Sequence, residues 1–257
     1  DSTITINRGE GKCPNCGSLI ESSYIDKKLL EKDFDYFLYA IAYKHGLGNL
    51  EFRLPNQLDF EGVEKVKFIL GKYVNSHLVP SEQLVQGQDT RCYNRGVRSW
   101  NQLFNPRQLF TLITYIEIVN EAKAVIQANY DYEKVEAIVT YLSLVLDRCA
   151  DANCRLAHWQ SSRISAQGAS AQHSLNLMWS YPETNGIGEL WYKCVDACAS
   201  DYKNLCELFG TKQGSTGIPG IKQHDPKSIQ IESASADNLT HIPNNSVDAV
   251  ITDPPYY

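Results

Sequence analysis

The run Asp248-Ala-Val-Ile-Thr-Asp-Pro-Pro-Tyr, residues 248–256, narrows the possible folds more than any other stretch of the chain. Its first half is apolar enough for a strand covered on both faces, which is the habit of sheets in α/β proteins. Its second half is a rigid loop. Pro254 and Pro255 fix two φ angles and remove two N–H groups, so the backbone there offers carbonyls. Ahead of it lie a short amphipathic strand pattern, SIQIESAS at 228–235, and a polar turn, LTHIPNNS at 239–246. This order predicts neighbouring strands of an α/β sheet, and in open α/β sheets sites form at the carboxyl ends of strands.

The loop carries a specific set of groups. The Asp253 carboxylate and the Pro254 carbonyl can accept both hydrogens of an exocyclic amino group on a flat heterocycle, and the Tyr256 ring can stack on that heterocycle. An amine conjugated to a base is a poor nucleophile. Holding it by acceptors favours tetrahedral character at nitrogen and aims its lone pair at a methyl donor. No strong base is required, because the amine becomes more acidic as it is methylated. A base reaches such a pocket only by leaving the duplex, and stacking offsets part of that cost. The plain alternative is that D-P-P-Y is a turn after a strand; the apolar run and the polar turn before it favour a site.

The rest of the chain reads as small β units around a helical middle. Residues 1–23 give a short alternating strand, a turn holding Cys13-Pro-Asn-Cys16-Gly, and a second apolar run, which is the shape of half a zinc ribbon. Residues 34–54 read as strand, Gly-rich turn at 46–48, and strand. Val63, Val66 and Leu70 predict a helix over 61–73. The strongest local signal is at 104–127: Asn105 can cap, Pro106 suits the first helical position and Gln108 sits where a capping-box partner belongs. A second long helix is expected from about Tyr132 to His158 with Asp131 as its cap, forming an antiparallel hairpin with the first. A third is expected over 188–209, and 210–228 is a loop. Trp159 and Trp179 read as core.

Composition sets outer limits. Apolar residues make up 43% and charged residues 21% of the 257, so a sizeable core is expected rather than global disorder. A formal charge of -6 excludes a uniformly basic chain, but not a local nucleic-acid groove. No stretch approaches the roughly 18 consecutive apolar residues of a membrane span, so no membrane partner is expected. The opening residues lack the apolar core of a signal peptide. Eight cysteines are too sparse for a disulfide framework and fit a reducing cytoplasm.

Two further sets of residues are candidates. Cys13 and Cys16 supply two of the four ligands that zinc requires; Cys194 and Cys198, four apart on a helix, either complete such a site or belong to the core. Arg91, Arg95, Arg98 and Arg107, interleaved with Tyr93, Trp100 and Phe104, either line a DNA path or form a solvated loop anchored by its aromatics.

ADNLTHIPNNSVDAVITDPPYY, at 236–257, resembles the catalytic-loop region of amino-group DNA methyltransferases that use S-adenosylmethionine. The DPPY form is most typical of adenine N6 enzymes. INRGEGKCPNCG, HLVPSEQL, YNRGVRSWNQLFNPRQLFTLITYIEIV and LDRCADANCRLAHWQ resemble, in order, segments of the adenine-specific DNA methylases with a zinc ribbon and an N-terminal domain of unknown function, DUF1156. The resemblance covers nearly the whole chain. It implies a Rossmann-like α/β methyltransferase fold, only partly present. A zinc-ribbon-like β region would occupy 1–54, a mainly helical insertion 55–209, a linker 210–228, and the start of the second part of the catalytic sheet 229–257. It implies Asp253, Pro254, Pro255 and Tyr256 as catalytic residues, Asp237 near the cofactor's adenine, and zinc on Cys13 and Cys16. The expected partners are double-stranded DNA with a flipped adenine and proteins of a restriction or other phage-defence system. The Gly-rich cofactor strand of such enzymes is missing, so the chain is expected to be an internal piece, inactive alone. Two other readings stand beside it: a helical DNA-binding or scaffold module of a modification complex, and an RNA or protein glutamine methyltransferase, whose loops usually begin with Asn.

Overall fold

The computed structural model describes residues 6–7, 10–32, 35–46, 49–87, 90–162, 164–171, 174–209, 232–233 and 235–252. The chain divides into two units, Asp1–Ser200 and Asp201–Tyr257.

The first unit opens with a three-stranded antiparallel sheet, β1 (Ile6–Asn7), β2 (Glu10–Lys12) and β3 (Leu19–Ile20), in the order β1-β2-β3. The Cys13–Cys16 turn joins β2 to β3, as the half-ribbon reading requires. Gly17 closes it at φ +74°, a conformation that suits a residue without Cβ, and its N–H donates to the Cys13 carbonyl at 2.8 Å. Helix α1 (Ser22–Leu30) follows, a stretch for which the sequence carried no clear signal. The expected hairpin is present as β4 (Ile41–Lys44) and β5 (Leu50–Arg53), paired antiparallel from Ile41 opposite Arg53 to Lys44 opposite Leu50.

Helix α2 (Gln57–Leu70) begins four residues before the expected start. Asn56 caps it, accepting from the Asp59 N–H while the Asp59 carboxylate accepts from the Asn56 N–H. That reciprocal cap outweighs the missing apolar periodicity of the first turn. Helix α3 (Pro106–Asn129) starts as expected: Asn105 accepts from the Gln108 N–H at 2.9 Å and the Gln108 side chain accepts from the Asn105 N–H at 3.0 Å. Helix α4 (Tyr132–Ala152) is capped by Asp131 and packs against α3 as the expected hairpin. It ends six residues short of His158. Asn153 leaves the helix, and the Arg155 N–H donates to the Leu103 carbonyl at 2.8 Å, drawing 153–157 into the core. A last antiparallel pair, β6 (His158–Gln160) and β7 (Ser165–Gln167), precedes α5 (Glu189–Phe209).

Two apolar clusters hold this unit. One gathers Leu84, Cys92, Val97, Leu103, Cys154, Leu156 and Ala157, with Tyr93, Phe104, Leu175 and Leu177 against it. The other joins Leu112 and Tyr115 of α3, Val145 and Cys149 of α4, and Leu190, Cys194 and Cys198 of α5. Each fully buried aliphatic side chain here contributes about 1.5–3 kcal/mol relative to exposure. Trp159 and Trp179, expected in the core, are instead 38% and 53% exposed. Trp159 lies on a two-stranded ribbon, with Phe52 edge-on at 6.1 Å.

In the second unit the described residues 232–252 are all exposed and none is in a strand. Short turns organise them: the Asn238 N–H donates to the Ser235 carbonyl at 3.1 Å and the Ile242 N–H to the Leu239 carbonyl at 2.9 Å. The expected buried strand over 248–252 is therefore corrected. Val250 and Ile251 are 78% and 96% exposed, because no strand among the described residues lies beside them to pair with or cover them. Every sheet among the described residues is small and antiparallel.

Candidate functional site

The candidate residues fall in three places, which differ in how far the structure develops them. The closing loop, Asp253, Pro254, Pro255 and Tyr256, lies outside the described residues. Asp237, the candidate for the cofactor's adenine, is described. It sits exposed in the turn 236–237, with its carboxylate open to solvent.

The Cys13–Cys16 turn is built on the β2–β3 hairpin. The Cys13 N–H donates to the Ser18 carbonyl at 2.9 Å, so both thiols are carried on one tight turn, Cys13 half-buried and Cys16 exposed. The Cys16 thiol lies 3.2 Å from the Ser18 hydroxyl. Hydrogen bonds from the Ser18 side chain and backbone, and then from Cys13, bring the Cys16 thiol down to about 7. Two adjacent thiols, one partly ionised at neutral pH, fit half of a tetrahedral zinc site. No cluster of three or more His, Cys, Asp or Glu side chains suited to a metal occurs among the described residues. Cys194 and Cys198 do not extend the pair: both are buried in the helical cluster beside Cys149, whose thiol is pushed up by burial and by Cys194. Of the two readings open for them, the structure shows core.

The arginine-rich segment is folded into the body. Arg91–Arg95 forms a 3-10 turn ended by Gly96 at φ +85°. A Cβ there would stand 2.6 Å from the Leu29 carbonyl oxygen, so α1 sits directly on this glycine. Arg95 pairs with Asp26 of α1. The Arg98 guanidinium lies 4.1 Å from the centre of the Tyr93 ring and donates to the Tyr93 and Val97 carbonyls at 2.5 and 3.0 Å. Arg107 grips Glu183 with two bonds, Nε to Oε1 at 2.5 Å and Nη2 to Oε2 at 2.8 Å. Glu183 raises the Arg107 pKa, and also accepts from the Asn105 amide at 2.7 Å. Of the four arginines, Arg91 is exposed and the other three are half-buried. Tyr93 and Phe104 pack on the first cluster, while Trp100 is 42% exposed. The guanidinium groups of Arg95, Arg98 and Arg107 are thus engaged with groups of the protein itself.

Glu183 is the residue that the sequence alone did not mark. It ties the loop 181–186 to the start of α3 across 76 and 78 positions, with Tyr181 beside it, whose hydroxyl burial pushes up to about 12. The only local signal is an acid within an aromatic, proline-containing turn, Tyr181-Pro-Glu183. No protein-family model matches the chain, and neither a curated protein nor a solved structure matches it.

Proposed function

We propose that this chain carries the amino-group-binding segment of an S-adenosylmethionine-dependent DNA methyltransferase acting on N6 of adenine, within a Rossmann-like α/β methyltransferase fold. The observation that carries the reading is the closing sequence ADNLTHIPNNSVDAVITDPPYY, in which an apolar run leads directly into Asp253-Pro254-Pro255-Tyr256. The methyl donor, when bound, supplies an electrophilic methyl carbon on sulfur. Asp253 and the Pro254 carbonyl hold the two amine hydrogens, Pro255 keeps the loop rigid, and Tyr256 stacks on the flipped base. Held in this way, the amine would have its lone pair aimed at that methyl carbon, with its proton left free to pass to solvent. Asp237 is assigned to the cofactor's adenine on sequence order alone. Cys13 and Cys16 hold structural zinc together with ligands beyond the described residues, and the free thiols suit a reducing cytoplasm. The partners proposed are duplex DNA and proteins of a modification or phage-defence system. No helix among the described residues is long and apolar enough to cross a membrane.

The test is methyl transfer by the intact protein to DNA, RNA and protein substrates offered in parallel. Incorporation into DNA adenine that falls at least a hundredfold in Asp253→Ala, with unchanged circular dichroism, supports the reading. Full activity in that variant, or label in glutamine or RNA instead, overturns it. A second reading, a helical recognition or scaffold module, is favoured by one observation: both apolar clusters are built largely around helices and their connecting loops, without a catalytic constellation. DNA binding without cofactor binding in calorimetry would select it.

A further inference from the structure

The two long helices are anchored at one end only. Every buried residue of α3, namely Gln108, Leu112, Ile113 and Tyr115, lies in its first ten positions. On α4, Val145 and Cys149 belong to the shared cluster with α5, and Val135 is the only buried residue before them. The outer halves, residues 118–129 and 132–142, therefore form an arm whose two helices pack on each other. Isolated two-helix hairpins of this length are not self-sufficient, and helix pairs of this kind bury their remaining faces by joining other helices.

One side of the arm holds an open groove of about 480 Å³. Val135 and Val139 line it with Tyr130 and Tyr132, and Lys123 of α3 and Glu136 of α4 lie on its two walls. Tyr130 and Tyr132 are 52% and 77% exposed. Tyrosines around an apolar groove are the residues that anchor protein interfaces. A nucleic acid is a poor occupant: Asp131, Glu133 and Glu136 crowd this tip, and the Lys134 ammonium is already 3.6 Å from Asp131.

The two charged side chains that line the groove, Lys123 and Glu136, are of opposite sign, and we infer that the groove pairs with the same groove of a second copy of this chain, the two arms forming a four-helix bundle. A two-fold axis running along the groove sets the Lys123 wall of each copy against the Glu136 wall of the other and brings Tyr132 of each into the other's groove. At 1.5 Å per residue the outer halves are about 18 Å long, and two packed helices are about 18–20 Å wide. With side-chain relief, such a face supplies on the order of 600 Å² per copy, at the lower end of what specific interfaces bury.

Sedimentation of the 257-residue protein over a wide concentration range tests this. The expected result is a monomer–dimer equilibrium. Lys123→Glu and Glu136→Lys each weaken it by about tenfold or more in Kd, the combined exchange restores it, and Tyr132→Ala weakens it without a change of charge. All these sites are exposed, so unchanged thermal midpoints will show the fold intact. A protein that stays monomeric overturns the inference. So does a dimer indifferent to the single exchanges, or one that the combined exchange fails to restore.

Discussion

Helix α3 and the closing run 247–252 are both rich in aliphatic residues, and they end in opposite environments. Ile113 of α3 is fully buried; Ile251 is 96% exposed. The difference is the supply of partners. Ile113 stands on a helix whose neighbouring residues Leu112 and Tyr115 meet matching apolar faces of the same unit: α4, reached across the two-residue turn 130–131, and α5, both in the second cluster. Ile251 stands in a stretch whose described neighbours are turns, and a turn presents no sheet edge for a strand to join. An apolar pattern shows a capacity to be covered; the covering surface has to be present as well.

The comparison is broken most directly at its packed end. Ile113→Ala should destabilise by about 2–5 kcal/mol, the range for emptying a closed aliphatic site, read as a lower midpoint in urea. A loss under about 1 kcal/mol would show that the surroundings of Ile113 collapse into the cavity and that α3 is less tightly held than its burial implies. Gly96→Ala comes next. It combines a positive φ with a Cβ 2.6 Å from the Leu29 carbonyl, a rigid backbone atom, and should cost about 1–3 kcal/mol. Because the contact is with α1, the variant should also speed amide exchange in residues 22–30. Wild-type exchange there would mean that α1 does not rest on Gly96.

The packed region was also the legible one. Asn105, Gln108 and Asp131 announce their helices through local hydrogen bonds and Pro106 through its fixed φ, features that any chain context preserves, and the structure uses all four as expected. The Cys13–Cys16 turn was legible for the same reason, since its glycine and its hydrogen bonds are local. What escaped the sequence is long-range. The start of α2 is an exception: the Asn56–Asp59 cap is local, and a reading by apolar periodicity alone passes over it. Arginines 95, 98 and 107 looked available for phosphate because their partners, Asp26, the Tyr93 and Val97 carbonyls and Glu183, are set by tertiary packing. Trp159 and Trp179 looked like core because aromatic size suggests burial; β6 and β7 supply only a two-stranded ribbon beneath Trp159.

A smaller effect tests an exposed join within the same unit. Arg53 donates two hydrogen bonds to Asp59, at 2.6 and 2.9 Å, and these hold the Asp59 carboxyl down to about 2 from an ordinary 3.8. A depressed carboxyl contributes stability that is fully present above the unfolded value and is lost as pH falls through the folded one. The parent protein should therefore lose more stability between about pH 4 and pH 2 than Asp59→Asn, in paired denaturation curves. Parallel curves would show that the pair makes no net contribution, as many surface ion pairs do.

The smallest expected effect is at the other end of the comparison. Ile251→Ser replaces an apolar side chain that is almost wholly in water, so it removes no burial and leaves no cavity. Its effect on unfolding should lie within about 0.5 kcal/mol, the range of ordinary surface changes. The same replacement in a strand covered on both faces would cost several times more, through lost transfer energy and a buried hydroxyl. A null result places the covering surface outside the described residues of this chain. A large one shows that 247–252 pairs as a strand in solution, which would bring the closing run into line with its sequence.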